Sequence, residues 1–402
     1  MAVFSGERAL LHARSLSFPR KTGGAGWQKS REYIAMELKQ LGFAVSEERF
    51  AIQWDLALFL KGVISLTLLL LVISYLISKN HPFVASLLMF VSCVLIFSTS
   101  DAWNALISSS NLPFKPRSYP GVNLVASLEP GRTTSKQILL VAHYDSKAQS
   151  LSLANRSFLL LCLFLLCLLV TLLYLTASFP GFPVLSPPTR KEMGFLSAIT
   201  ALCALLVYKN KTFDISPGGL DDASGVGTLM ALAEVIREEP PLEANVNFLI
   251  TDAEEDGLLG AWSYMKAHQG EFSPKTTYVV NLDGVGIEGR LMLTGKGRSE
   301  LTTRLLALAR ARHIPLRRCF SPPGVLMDHM PFLWRGLKAV SLFTLSFKSL
   351  RIHTAKDTSD LLERGGLEET GELVLALIQQ IDRRSDGVDL HPSGARAGNI
   401  GD

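Results

Sequence analysis

The sequence predicts an α/β fold: a mostly parallel mixed sheet sandwiched by helices, with two transmembrane helical hairpins inserted into it. Three observations predict it. Short apolar strands alternate with helices through the polar parts of the chain, as they do around a parallel sheet. Four long apolar segments come in two close pairs, and one strand after another runs into an acidic residue or a histidine.

The elements follow in chain order. Residues 28–41 carry apolar side chains at helical spacing (Tyr33, Ile34, Met36, Leu38, Leu41) and stop at Gly42. Residues 43–51 alternate as a strand does, and residues 122–128 and 138–142 read as short strands, the second ending at His143. Residues 224–238 form a helix, opened by Asp222-Ala223-Ser224 as capping material and closed by Pro240-Pro241. Strands are expected over 246–251, 278–282 and 339–344, and helices over 300–312 and 367–381. The Gly-, Asp- and Pro-rich tail from Ser385 reads as disordered.

Composition sets the limits. The 402 residues hold 40 Lys+Arg against 36 Asp+Glu, a net charge of +4 that leaves no electrostatic footprint for nucleic acid. Apolar residues make up 48%, charged ones only 19%, and mean hydropathy is +0.26, which excludes a disordered chain. The excess apolarity lies in residues 56–78, 83–97, 158–177 and 193–208. Only the first and third clearly reach the ~20 residues a spanning helix needs, and the others pair with them. Lys61, near the start of the first, is placed to snorkel. The organisation read from this is one domain in three pieces (residues 1–55, 109–156 and 209–384), hairpins at 56–108 and 157–208, and a tail at 385–402. Even numbers of crossings return the chain to one side each time, so the three pieces can fold together.

No secretory signal is read at the N-terminus. Four of five cysteines (Cys93, Cys162, Cys167, Cys203) lie in apolar segments, so neither a disulfide framework nor a zinc-finger spacing is readable. Gly284-Val285-Gly286-Ile287-Glu288-Gly289 fits a dinucleotide fingerprint, but residues 290–294 look like a strand where that motif needs a helix.

Chemistry gathers outside the carboxyl ends of strands in open α/β sheets. Those ends hold His143-Tyr144-Asp145-Ser146, Asp252-Ala253-Glu254-Glu255-Asp256-Gly257 and Asp283-Gly284. Between them lies Asp221-Asp222-Ala223-Ser224-Gly225, and past the last strand comes His353-Thr354-Ala355-Lys356-Asp357-Thr358. A metal-bound histidine needs its second nitrogen held, which the His-x-Asp pair provides. Adjacent Glu254 and Glu255 offer one carboxylate for metal and one for protons. Together the set suits two zinc ions about 3.5–4 Å apart sharing a carboxylate and binding one hydroxide.

The order His-x-Asp-Ser, Asp-Asp-Ala-Ser-Gly, Glu-Glu-x-Gly-Leu-x-Gly, Asn-x-Asp-x-x-Gly, Asp-His-x-Pro-Phe and His-Thr-x-x-Asp-Thr resembles the co-catalytic di-zinc aminopeptidase family (metallopeptidase clan MH). Relatives there include bacterial leucyl aminopeptidases, glutamate carboxypeptidase II and glutaminyl cyclases. The resemblance implies that His143 and Asp283 hold one zinc, Glu255 and His353 the other, and that Asp221 bridges them through a cis peptide bond to Asp222. It implies Glu254 as general base and Asp145 as the partner of His143. Asp328 and His329 match a further motif whose usual preceding Ser is Met327 here, and they receive no role.

The function so implied is a membrane-bound zinc metallopeptidase, an aminopeptidase removing N-terminal residues from peptides. Two alternatives stay open: a glutaminyl-cyclase-like or other zinc amidohydrolase or acyltransferase, and a non-enzymatic membrane receptor or scaffold that keeps the fold. His143 and Asp221 stand 78 residues apart, with the second hairpin filling the gap at the active-site edge. The expected partners are therefore the lipid bilayer and a membrane-associated or apolar peptide. Arg49, Lys115, Arg117, Lys147, Arg156, Lys209 and Lys211 on the domain side, against Lys79, Arg190 and Lys191 at the tips, predict a cytoplasmic catalytic domain.

Overall fold

The computed structural model describes residues 3–53, 55–109, 119–128, 136–179, 189–238, 242–320 and 325–383. Lys115, Arg117, Pro240, Pro241 and the tail from Ser385 lie outside them. In chain order the elements are α1 (Gly6–Leu16), α2 (Ala25–Gln40), β1 (Ala44–Phe50), α3 (Leu56–Ile77), α4 (Pro82–Phe97), α5 (Thr99–Ser109), β2 (Gly121–Ser127) and β3 (Gln137–His143). Next come β4 (Ala148–Gln149), α6 (Leu153–Ala177), α7 (Arg190–Tyr208), β5 (Thr212–Phe213), α8 (Ser224–Glu238), β6 (Asn245–Thr251), α9 (Leu259–Ala267) and β7 (Thr277–Leu282). The chain then runs through β8 (Arg290–Gly295), α10 (Glu300–Ala311), β9 (Leu316–Arg318), α11 (His329–Trp334), β10 (Lys338–Leu345) and α12 (Arg364–Arg383).

Eight strands form one sheet in the order β1-β2-β6-β3-β7-β10-β8-β9. Its centre is parallel: β3 pairs with β6 and β7, and β7 with β10. Antiparallel pairings join β1 to β2, β2 to β6 and β8 to β10 toward the edges. The pleat sorts β3 side chains by face. Leu140 and Ala142 pack with α1, α8 and α12, whereas Leu139 and Val141 meet Ala261, Tyr264 and Met265 of α9 and Phe332 of α11. Burial on both faces explains why these strands read as continuous apolar runs. Residues 284–289 lead into β8, so the glycine-rich stretch is a strand connection with no helix behind it.

A separate apolar cluster joins α3, α4, α6 and α7. Helices α3, α6 and α7 are long and apolar enough to cross a bilayer. The second expected segment, α4, has 16 residues, about 24 Å at 1.5 Å per residue, and stops short of a ~30 Å core. It continues into α5 across a 68° bend. The four-pass expectation thus rests on α4 and α5 forming one broken span. Packing inside the cluster uses small and polar side chains, as helix contacts in lipid do. Ser86 Oγ donates to the Thr171 carbonyl at 3.0 Å, and Ser74 Oγ to that of Ala85 at 3.2 Å.

Candidate metal centre

Four neighbouring strand ends place the site: β3 delivers His143, β6 leads to Glu254 and Glu255, β7 to Asp283, and β10 to the loop carrying His353. Asp221 comes from the turn before α8, and its peptide bond to Asp222 is cis. All five expected ligand residues converge. His143, Asp221 and Asp283 form one group of donor atoms within 4.8 Å of one another, and Asp221, Glu255 and His353 form a second. Asp221 belongs to both: its Oδ1 lies 3.0 Å from His143 Nε2, and its Oδ2 lies 3.2 Å from His353 Nε2.

The donor set fits zinc. Four ligands about 2.05 Å from a tetrahedral ion stand roughly 3.3 Å apart. The separations here bracket that value: 2.9 Å for His353 Nε2 to Glu255 Oε2 and 3.9 Å for His143 Nε2 to Asp283 Oδ1. Electrostatics agree. Burial opposes the Asp221 charge, yet His143 and His353 hold its carboxyl well below the usual range. Glu255 is likewise buried, but His353 and Lys147 pull it down to about 2. Both carboxylates therefore stay ionised and ready for a cation.

Supporting residues fix the geometry. His143 Nδ1 lies 3.1 Å from the Asp145 carbonyl and 3.4 Å from Asp145 Oδ1. The Asp145 carboxylate also accepts the backbone N–H groups of Glu254 and Glu255, each at 3.2 Å. One residue thus orients a histidine and clamps the turn bearing both glutamates. Ala253 and His353 adopt left-handed φ values of 54° and 62°, conformations that cost a non-glycine residue about 1–3 kcal/mol. The fold spends that energy where it aims site side chains. Glu254 Oε2 lies 3.9 Å from His143 Nε2, and burial with neighbouring acids raises its carboxyl well above the ordinary range.

The loop around Asp221 is held from beneath. Asp357 accepts the N–H groups of Leu220 (2.7 Å) and Asp221 (3.3 Å). Fully buried Arg20 donates to the carbonyls of Pro217 and, at 2.7 Å, Gly218. Asp222 turns away from the centre and accepts from Gly225 N and Gly284 N. Asp328 and His329 lie beneath the sheet end: Thr251 Oγ1 donates to Asp328, and His329 Nδ1 sits 2.6 Å from Ser341 Oγ.

Several contributors are not evident from sequence. Lys147, counted above as a membrane-flanking cation, places Nζ 2.9 Å from Glu255 Oε2 and also donates to the Glu255 carbonyl. Arg156, in the first turns of α6, is half-buried and donates to Gln149 Oε1 at 2.7 Å, while Gln149 N donates to the His353 carbonyl at 2.9 Å. With these two engaged at the site, the domain-side tally rests on Arg49, Lys115, Arg117, Lys209 and Lys211 against Lys79, Arg190 and Lys191. From the first insertion, Trp103 Nε1 donates to Gly257 O at 2.8 Å, and Leu56 N to Asp256 O at 2.8 Å. Gly257 has a φ of 116°, and a Cβ there would lie 2.5 Å from the Trp103 ring, so glycine alone fits. The only sequence signals were a lone Trp in a polar flank and cations just past strand and helix ends.

Residues 207–378 match the model for peptidase family M28. The chain is 27% identical over 188 residues to aminopeptidase YwaD of Bacillus subtilis, covering 44% of this chain and 41% of that one. It is 34% identical over 100 residues to a vacuolar membrane protease of Schizosaccharomyces pombe, covering 25% and 11%. It therefore spans less than half the length of these curated relatives. Among solved structures, a zinc aminopeptidase of B. subtilis shares the fold (TM-score 0.57, 14% identity, 96% and 97% covered). So does a glutaminyl cyclase of Porphyromonas gingivalis (TM-score 0.56, 16% identity, 94% and 99% covered). The motif order, the sheet that assembles it and the family match over residues 207–378 agree: this part of the chain is similar to peptidase family M28, the whole shares the fold of the zinc aminopeptidases, and three of its helices are long and apolar enough to cross a bilayer.

Proposed function

We propose that this chain is a membrane-bound aminopeptidase with two zinc ions, hydrolysing N-terminal residues from peptides presented at the bilayer. We read residues 1–55, 109–156 and 209–384 as one catalytic domain and the two insertions as four membrane passes. The observation that carries the reading is the two-sided reach of Asp221, with one oxygen beside His143 and the other beside His353. His143 and Asp283 would hold one ion, Glu255 and His353 the other. When bound, the zinc pair supplies Lewis acidity toward the scissile carbonyl and acidifies water.

The remaining work falls to the chain. Glu254, unassigned to either ligand group and buried beside both, takes a proton from the attacking water on its carboxylate and returns it to the leaving amine. Asp145 keeps the Nδ1 side of His143 engaged and the Glu254 backbone fixed, so neither group must reorganise during the reaction. Burial of the site excludes bulk water from the proton path.

The test is metal analysis with turnover of an aminoacyl-amide panel by detergent-purified protein. Glu254→Gln is expected to keep its metal and lose about 10²–10⁴-fold in kcat. Undiminished turnover in that variant overturns the reading. The shared fold with glutaminyl cyclases supports a second reading, cyclisation of N-terminal glutamine, which one zinc per chain and a cyclised product would select.

A further inference from the structure

His353 of the metal centre is flanked by two segments that the proposed reaction does not use. A short helical turn, Phe347–Arg351, stands just before His353 and packs against α6. The two-stranded ribbon of β4 and β5 borders the same histidine, with Ala148 opposite Phe213 and Gln149 bonded to the His353 carbonyl. Along these two segments large apolar side chains stand in solvent: Phe347 is 91% exposed, Leu350 50%, Phe213 41% and Ile215 54%. Exposed cations lie among them: Lys209 and Lys211 precede Phe213, and Arg351 follows Leu350. Lys348 is turned aside by Glu363 (2.6 Å) and Glu288 (3.5 Å), which leaves Phe347 projecting beside it.

This composition, apolar side chains interleaved with Lys and Arg, is that of surfaces that settle into anionic lipid headgroups. Its position supplies the occupant. Phe213 and Ile215 follow the end of α7 by five and seven residues, and the Phe347 turn rests on α6. The rim is thus continuous with the lipid-facing surface of two membrane helices, where α6 shows Phe158 at 65% exposure. We infer that Phe347, Leu350, Phe213 and Ile215, with Lys209, Lys211 and Arg351, form a bilayer-docking lip that seats the mouth of the metal centre on an anionic membrane surface. Built on the metallopeptidase reading, this narrows the substrate to peptides whose scissile end lies at the headgroup layer.

The experiment uses the full chain reconstituted in bilayers of neutral and anionic phospholipid. Spin labels at Phe347→Cys and, on α2 away from the lip, at Met36→Cys report collisions with oxygen and with a water-soluble nickel chelate. The Phe347 label is expected to favour oxygen and the Met36 label the chelate. Equal access of the chelate to both positions overturns the lip, whether or not the protein hydrolyses anything. A Phe347→Ser, Leu350→Ser variant then links the lip to turnover. Hydrolysis of a soluble aminoacyl-amide is expected within about twofold of the parent, and hydrolysis of a vesicle-anchored acyl-peptide lowered at least about tenfold, as withdrawal of two apolar side chains from lipid allows. An equal fall on both substrates overturns the role in presentation. Absence of all hydrolysis in the parent sinks the peptidase reading instead and leaves the depth measurement to judge the lip.

Discussion

Helices α6 and α8 are both apolar nearly all round, yet they solve different problems. Twelve of the 15 residues of α8 are buried in protein, so its whole circumference is core. Only five of the 25 residues of α6 are buried, and they form one stripe: Leu163, Cys167, Val170, Thr171 and Tyr174. Its exposed apolar residues, Phe158, Leu161, Leu165, Leu169 and Leu172, form a second stripe on another face at the same helical spacing. An all-round apolar helix is stable only inside protein or inside lipid, and burial tells which. The apolar composition of the chain therefore sums two kinds of hydrophobicity, one satisfied by the fold and one left for the membrane.

The sharpest test is one substitution made in both helices. Leu229→Ala in α8 removes a fully buried side chain and is expected to cost about 2–5 kcal/mol. Leu165→Ala in α6, at 51% exposure toward lipid, is expected to cost less than about 0.5 kcal/mol. Denaturant unfolding of both variants in the same detergent measures the difference, and equal costs would break the comparison. A smaller effect tests whether the two regions communicate. Trp103→Phe removes the bond to Gly257 O, worth about 0.5–1.5 kcal/mol, beside the turn that carries Glu254. The expected result is a several-fold lower kcat with KM unchanged, and a shift in stability alone would reduce Trp103 to a packing residue.

Much of the candidate metal centre was legible because its chemistry is written locally. The strand-end motifs and the Asp-Asp and Glu-Glu pairs are each contiguous in sequence, and they carry the five residues that converge. What escaped is tertiary. Helix α1 buries Ala9, Leu10, Ala13 and Leu16, but Arg8, His12 and Arg14 mask the pattern. His12 itself is a packing residue, bonded to Tyr33 and Glu234. Asp145 was expected to hold His143, while its grip on the Glu254 and Glu255 backbone depends on β3 lying beside β6. Helix α5 is not evident from apolarity because its buried residues, Trp103 and Asn104, bond to Gly257 and Trp262 of the sheet domain.

Acid sensitivity offers the finest distinction between the two regions. Helices α3, α4, α6 and α7 contain one carboxylate, Glu192, so charge pairs that titrate in acid belong to the sheet domain. Glu300, on α10, pairs with Lys338 Nζ at 2.7 Å and Arg304 Nη2 at 2.5 Å; despite some burial these cations lower its carboxyl to about 2. A depressed carboxylate stabilises the fold above its unfolded pKa of about 4.3 and loses that contribution as pH falls toward about 2. The side chain is 41% exposed, so solvent screening holds the effect below about 1 kcal/mol. Glu300→Gln should therefore lower the urea midpoint slightly near neutral pH and by less near pH 3, with the gap closing only on acidification. A gap that is constant with pH would assign the effect to packing of α10 and not to charge.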